Sequence, residues 1–269
     1  MGIYFRRLRK PKISYAIIDG LRIRYQDNTT GTNNLVFLHG LGGSIESWGD
    51  ITSELSSKYR IVALDLPGFG LSDKPNRKYT IRFFSLFVLH AMRELGVRFP
   101  INLIGSSLGG QIAANIATTI PHKVHKLVLI SPAGFTPRSF LGSDGLRKYI
   151  GVFNATSRTE IRKALSATTS AAVTGKDVQL AQERMAIRGA KDAFISSLKY
   201  STAARRINFN RIKPPTLVIW GREDRIIPVK FIVPFLAMKN CRMCVLEHCG
   251  HRPHAEKPEL INSIITSFI

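Results

Sequence analysis

The chain has 269 residues, is 44% hydrophobic and 21% charged, and carries 39 basic against 18 acidic side chains for a net charge of +21. That length and apolar content support a large core and exclude a disordered chain. No apolar run reaches the roughly 18–20 residues of a membrane span; the longest candidate, residues 83–92, is short and contains His90.

The N-terminus is basic without a following apolar run, which speaks against a secretory leader, and Arg6 stands where a myristoylation signal wants Ser or Thr. Arg6, Arg7, Arg9, Lys10 and Lys12 follow the apolar tip Ile3, Tyr4 and Phe5. This tract fits peripheral contact with an anionic membrane by an otherwise cytoplasmic protein. A general basic bias of the proteome accounts for the same charge equally well. The basic residues are scattered and form no recognisable nucleic-acid motif, so no nucleic-acid partner is expected.

In chain order, residues 13–18 and 21–26 flank Asp19 and Gly20, a two-residue hairpin signal. A buried strand over 35–38 ends in His39 and Gly40, and another over 60–65 leads into Pro67, Gly68, Phe69 and Gly70. Helices are expected over 45–57 and 80–95, then a strand over 101–105. A helix to about Thr119 and a strand over 124–130 follow. Continuous apolar strands alternating with helices predict a mostly parallel sheet covered on both faces. Residues 133–211 hold no convincing strand, and helix-like stretches fall at 158–168 and 178–190. Strands return at 216–220 and 242–247, and a helix over 258–268 closes the chain. The expected organisation is an α/β core from residues 1–132 and 212–269, carrying a helical cap over 133–211.

Residues 105–109 read Gly-Ser-Ser-Leu-Gly between an apolar strand and a helix. This Gly-x-Ser-x-Gly spacing sets Ser107 on a tight, strained turn that projects its hydroxyl above the sheet. Glycines two places either side let strand and helix approach. Ser106 lacks those neighbours. Asp224 follows the strand at 216–220, and His251 follows the strand at 242–247. The order Ser107, Asp224, His251 supplies nucleophile, acid and base. Asp65, Asp73 and Glu223 are rival acids; His248 and His254 are rival bases. His39 is expected to shape its turn, and His90, His122 and His125 to be ordinary helix-face or loop residues. Cys241, Cys244 and Cys249 lie near His248 and His251 and could suggest zinc, but the strand-like run 243–246 and the odd count favour structural thiols in a reducing compartment.

Five segments together resemble the α/β-hydrolase superfamily in the family's order: 39–43, 65–73, 105–110, 221–224 and 250–251. The resemblance implies an α/β-hydrolase fold with a cap, a Ser107–His251–Asp224 triad and no cofactor or metal. It also implies an oxyanion hole from the backbone N–H groups of Leu41 and Leu108. A serine at the elbow disfavours the epoxide hydrolases and haloalkane dehalogenases, which use aspartate there. The first expectation is a carboxylic ester hydrolase acting through an acyl-enzyme on a small-molecule ester with an apolar acyl part, lipid-like esters and thioesters included. The alternative is a C–C bond hydrolase of ring-cleavage products. That group usually shows Asn before the elbow serine and Trp near the histidine, where this chain has Ser106 and Arg252. A low-turnover binding protein on the same scaffold is a third reading, disfavoured by the intact triad. Apolar residues of the cap, such as Phe140, Leu141, Tyr149, Phe153 and Phe194, suit an apolar acyl pocket or simple packing. Arg184 and Arg206 suit anionic substrates or a solvated face.

Overall fold

Backbone hydrogen bonding joins every expected strand into one eight-stranded sheet of order β1-β2-β4-β3-β5-β6-β7-β8. The computed structural model describes residues 11–29, 31, 33–135, 144–205 and 207–269. Arg6, Arg7, Arg9, Lys10, Phe140, Leu141 and Arg206 lie outside the described residues; Lys12 opens the first strand. The strands are β1 (Lys12–Ile18), β2 (Leu21–Asp27), β3 (Asn34–Leu38), β4 (Arg60–Leu64), β5 (Ile101–Ser106), β6 (Val124–Ile130), β7 (Thr216–Gly221) and β8 (Cys241–Leu246). The hairpin at Asp19 and Gly20 has both residues at positive φ, 51° and 74°, as its two-residue turn requires. β1–β2 and β2–β4 are antiparallel, and all later pairings are parallel.

Because the parallel strands are covered on both sides, their central stretches are apolar at successive positions rather than alternately. Val36 and Leu38 of β3 face one core and Leu35 and Phe37 the other. Helices α2 (Ile81–Glu94) and α3 (Leu108–Thr119) contribute to the first core. Helices α1 (Gly49–Leu55) and α9 (Pro258–Phe268) contribute to the second. Thr80 caps α2 by accepting from the Phe83 N–H.

Between β6 and β7 the described chain is helical: α4 (Asp144–Ile150), α5 (Arg158–Leu165), α6 (Gly175–Met185) and α7 (Ala190–Ala203). It has a small core of its own around Val152, Ile161, Ala164 and Val178. The single helix expected over 178–190 is corrected. α6 ends at Met185, Gly189 turns the chain at φ +83°, and Ala190 starts α7. A glycine in that left-handed conformation ends helical winding even where apolar spacing continues. α4 and α7 carried too little apolar periodicity to be read. His125 also departs from expectation: it lies on β6, with Nδ1 3.1 Å from Asn102 Oδ1. The short helix α8 (Pro253–Glu256) links β8 to α9. Among the described residues no helix is long and apolar enough to cross a membrane.

After β3 the chain moves outward to β4, then returns to the other flank of β3 as β5. The crevice beyond the C-terminal ends of β3 and β5 is therefore where successive connections diverge. Open α/β sheets bind ligands at such switch points.

Candidate active site

Ser107 stands at that crevice, directly after β5, with φ 52° and ψ −115°. Such a backbone is strained for a residue with a Cβ. It is held on both sides: the Ser107 N–H donates to Ile130 O, and Ser107 O accepts from Gln111 N–H and Ala133 N–H, all at 3.0 Å. The flanking glycines are a steric necessity. A Cβ on Gly105 would stand 2.3 Å from Gly109 O, and one on Gly109 2.0 Å from Leu38 O. Leu108 begins α3, so its N–H belongs to the helix N-terminus.

The turn after β3 meets the serine. A Cβ on Gly40 would lie 3.1 Å from Ser107 Cβ. His39 is fully buried, and burial lowers its pKa and keeps it neutral. The Leu66 N–H donates to His39 Nε2 at 3.0 Å, which places the proton on Nδ1, 2.8 Å from Gly40 O. His39 thus clamps this turn, as its context suggested. The Tyr149 hydroxyl of α4 donates to Leu41 O at 3.0 Å. Gly42, at φ +70°, leaves the room: a Cβ there would stand 2.6 Å from the Tyr149 hydroxyl.

Asp224, just past β7, and His251, past β8, are both buried and bonded to each other, Oδ2 to Nδ1 at 2.8 Å. Asp224 Oδ1 accepts from the Ile226 and Ile227 N–H groups at 2.9 Å each, which fixes the carboxylate. An ionised Asp224 keeps the proton on Nδ1 and leaves Nε2 as an acceptor. Ser107 and His251 line one cavity of about 210 Å³, without a direct hydrogen bond between them in this structure.

The rivals have other work. Glu223 accepts from the His248 and Cys249 N–H groups at 3.1 and 2.7 Å. Asp65 accepts from Ile45 N–H and Leu71 N–H, and Asp73 from Arg22 N–H. His254 is buried against Trp48, ring centroids 4.5 Å apart. Burial, and then the charge of Arg252 and proximity of His251, hold it well below the ordinary histidine range. Cys241 and Cys244 are free thiols on β8, and burial pushes Cys249 up to about 12. Among the described residues no three His, Cys, Asp or Glu side chains gather as a metal site.

Three contributors escaped sequence reading. Glu256 accepts from Gly250 and Arg252 N–H and, across the cleft, from Ser170 N–H at 2.8 Å, bracing the His251 loop. Glu46 pairs with Arg24 of β2 and, at 3.1 Å, with Arg184 of α6. Burial alone would raise the Glu46 pKa, but hydrogen bonds from Arg24 and Ser44 outweigh it and hold it at about 2. Tyr149, one of the apolar residues of the cap in the sequence, uses its hydroxyl on Leu41 O. All three act across long sequence separations, and although Glu256 and Glu46 lie close to motif segments, Tyr149 lies far from any.

The cavity is walled by apolar side chains of the helical segment, among them Leu146, Tyr149, Phe153 and Phe194, over a polar floor of Ser107 and His251. A strained serine thus shares one cavity with an imidazole that a carboxylate orients.

A family model described as "alpha/beta hydrolase fold" matches residues 33–258. The 2-hydroxy-6-oxononadienedioate/2-hydroxy-6-oxononatrienedioate hydrolase of Paraburkholderia phymatum is 29% identical over 266 residues, covering 93% of this chain and 91% of that protein. A solved membrane phospholipase A, described as a bacterial virulence factor, superposes with TM-score 0.80 and 28% identity over 96% of this chain and 86% of its own. A meta-cleavage product hydrolase from Pseudomonas fluorescens IP01 superposes with TM-score 0.83 over 95% and 96% of the two chains; at 23% identity it speaks to the fold.

Proposed function

The chain belongs to the alpha/beta hydrolase fold family and is a hydrolase, and from that premise we propose that it cleaves a compact 2-hydroxy-6-oxo-dienoate-type substrate at a C–C bond. Ser107 is the nucleophile, His251 the base and Asp224 the group that orients it. The Ser107–Gly40 turn contact, together with the His251–Asp224 bond in the same cavity, carries the serine-hydrolase part of this reading. The name and coverage of the Paraburkholderia relative support the substrate class. The volume agrees: about 210 Å³ lies below the roughly 300–1,000 Å³ of drug-sized sites, which suits a short chain better than a two-tailed lipid.

The chemistry follows from the bond to be broken. A 6-oxo group has carbon on both sides, so its hydrolysis must break C–C. His251 Nε2 takes the Ser107 proton as Oγ adds to the carbonyl carbon. The resulting oxyanion is received by the Leu41 and Leu108 N–H groups, each worth roughly 3–4 kcal/mol. Before this adduct collapses the 2-hydroxy-dienoate must ketonise, its hydroxyl proton moving to C5 to give a 2-oxo-3-ene. Breaking C5–C6 then leaves a dienolate whose electron pair rests on the 2-oxygen, which the imidazolium protonates to a 2-hydroxy-dienoate product. Water, deprotonated by His251, then releases the acyl group and restores Ser107.

A carboxylic ester hydrolase is the second reading. Ser106 and Arg252 favour it, as departures from the residues expected of C–C hydrolases, and so does the resemblance to the phospholipase. The test is a paired assay of a 2-hydroxy-6-oxo-dienedioate, followed by loss of its absorbance, and a p-nitrophenyl alkanoate. The proposal expects kcat/KM for the dienedioate to exceed that for the ester, with both falling roughly 10⁴-fold or more in Ser107→Ala. Ester turnover alone would replace the first reading by the second. Turnover that survives Ser107→Ala would end both.

A further inference from the structure

Three cations line the cavity, and two of them are already satisfied within the protein. Arg184 pairs with Glu46 at 3.1 Å. Lys74 donates to Gly70 O and Ser72 O, both at 2.8 Å. Arg252 differs. Its backbone N–H is held by Glu256, but the guanidinium of this half-buried residue makes no direct hydrogen bond or ion pair among the described residues. The other cavity-lining acid, Asp177, hydrogen-bonds at the α6 cap, where Oδ2 accepts from the Thr174 N–H at 2.8 Å and the Thr174 hydroxyl at 2.6 Å; it feels the Arg252 charge at a distance without a direct ion pair. Tyr149, His254 and Asp177 lie within reach of the Arg252 charge, and the neighbouring His254 is neutral, so Asp177 is the acid that Arg252 feels.

A guanidinium in such a setting presents five N–H donors in a planar fork and pays for its lost hydration only when an anion arrives. A carboxylate matches that fork with two parallel hydrogen bonds. Arg252 directly follows His251, so an anion seated on it shares the cavity with Ser107. We propose that Arg252 is the anchor for a substrate carboxylate at the end of the chain remote from the scissile bond. This rests on the serine-hydrolase reading for its catalytic meaning, but not for the existence of the anion site. It also gives the residue after His251 a role that the sequence pattern alone left as a departure.

The experiment has two arms on the full-length chain. In the first, calorimetry measures glutarate and dimethyl glutarate binding to Ser107→Ala, alone and combined with Arg252→Gln or Arg252→Lys. Glutarate affinity should fall at least tenfold with the Gln change and less with the Lys change, while the diester responds to neither. In the second, p-nitrophenyl hydrogen glutarate is compared with p-nitrophenyl pentanoate in the active chain. The ratio of their kcat/KM values should fall at least tenfold in Arg252→Gln. Failure of Ser107→Ala to bind glutarate, or a ratio unchanged within twofold, overturns the proposal. Arg252-dependent glutarate binding without any Ser107-dependent turnover would keep the anion site and reject the hydrolase reading instead. Thermal unfolding of each variant checks the fold, and the Lys variant carries the test should the Gln variant unfold.

Discussion

The Tyr149 hydroxyl on α4 donates to the Leu41 carbonyl at 3.0 Å, so a helix of the segment between β6 and β7 holds the turn that carries a proposed oxyanion donor. The adjoining Gly42 exists in a form that admits this contact, since a Cβ would collide with the same hydroxyl at 2.6 Å. Tyr149 is thus a positioning residue. Removing one neutral hydrogen bond costs about 1 kcal/mol. In Tyr149→Phe, kcat should fall about fivefold with KM nearly constant, and fluorophosphonate labelling of Ser107 should slow in parallel. A change confined to KM would mean that the hydroxyl touches substrate instead.

Asp224→Asn preserves an oxygen for the Ile226 and Ile227 N–H groups, so the fold should survive with little change in melting temperature. The amide nitrogen would then face His251 Nδ1 and drive the imidazole proton to Nε2. That tautomer cannot accept from Ser107, and kcat should drop by roughly 10⁴. Steady-state kinetics on the better of the two paired substrates measures it; a loss under tenfold would remove Asp224 from its proposed role.

Glu46 ties Arg24 in the sheet to Arg184 in α6, which makes acid stability a readout of this link. Its folded pKa of about 2 lies below the ordinary value of 4.5. A depressed carboxylate stabilises the fold fully above its unfolded pKa, and that contribution disappears as pH falls through the folded value. Glu46→Gln should therefore lower the melting temperature at pH 7, by the equivalent of about 1–3 kcal/mol for a charge left short of its acceptor. The gap to the natural chain should narrow between pH 4.5 and about 2. A gap that stays constant across that range would contradict the assignment.

Gly109→Ala tests the steric basis of the elbow. Its Cβ would stand 2.0 Å from a backbone oxygen of β3, at Leu38, where no side chain can swing aside. Overpacking of this kind should cost about 3 kcal/mol or more. Denaturant unfolding would show it, with Gly49→Ala as the control. Gly49 has helical dihedrals and open space around its Cβ position, so that change should be near neutral.

The sequence alone determined the strand order along the chain, the elbow at Ser107 and the candidates Asp224 and His251, because each of these is a local signal. A parallel strand buried on both faces runs largely apolar, and a strand must pass into a helix through glycine where any Cβ would stand 2.0–2.3 Å from a neighbouring backbone oxygen. Hairpin chemistry at Asp19 and Gly20 is equally local. Where the helices between β6 and β7 begin and end was poorly legible, since their short amphipathic runs are stabilised by packing onto the cleft rather than by their own periodicity.

Only the tertiary structure decided which charges are already neutralised and which are not. Glu46 and Arg184 are 138 residues apart, and the Tyr149 hydroxyl reaches a carbonyl 108 residues away. No spacing rule links such pairs; they meet because sheet order brings the ends of β3, β5, β7 and β8 to one crevice and the helical segment closes over it. A side chain's charge state and free donors depend on those neighbours. For that reason Arg252 is a mere departure in the sequence and, in three dimensions, a cavity cation whose guanidinium has no direct hydrogen-bond partner among the described residues.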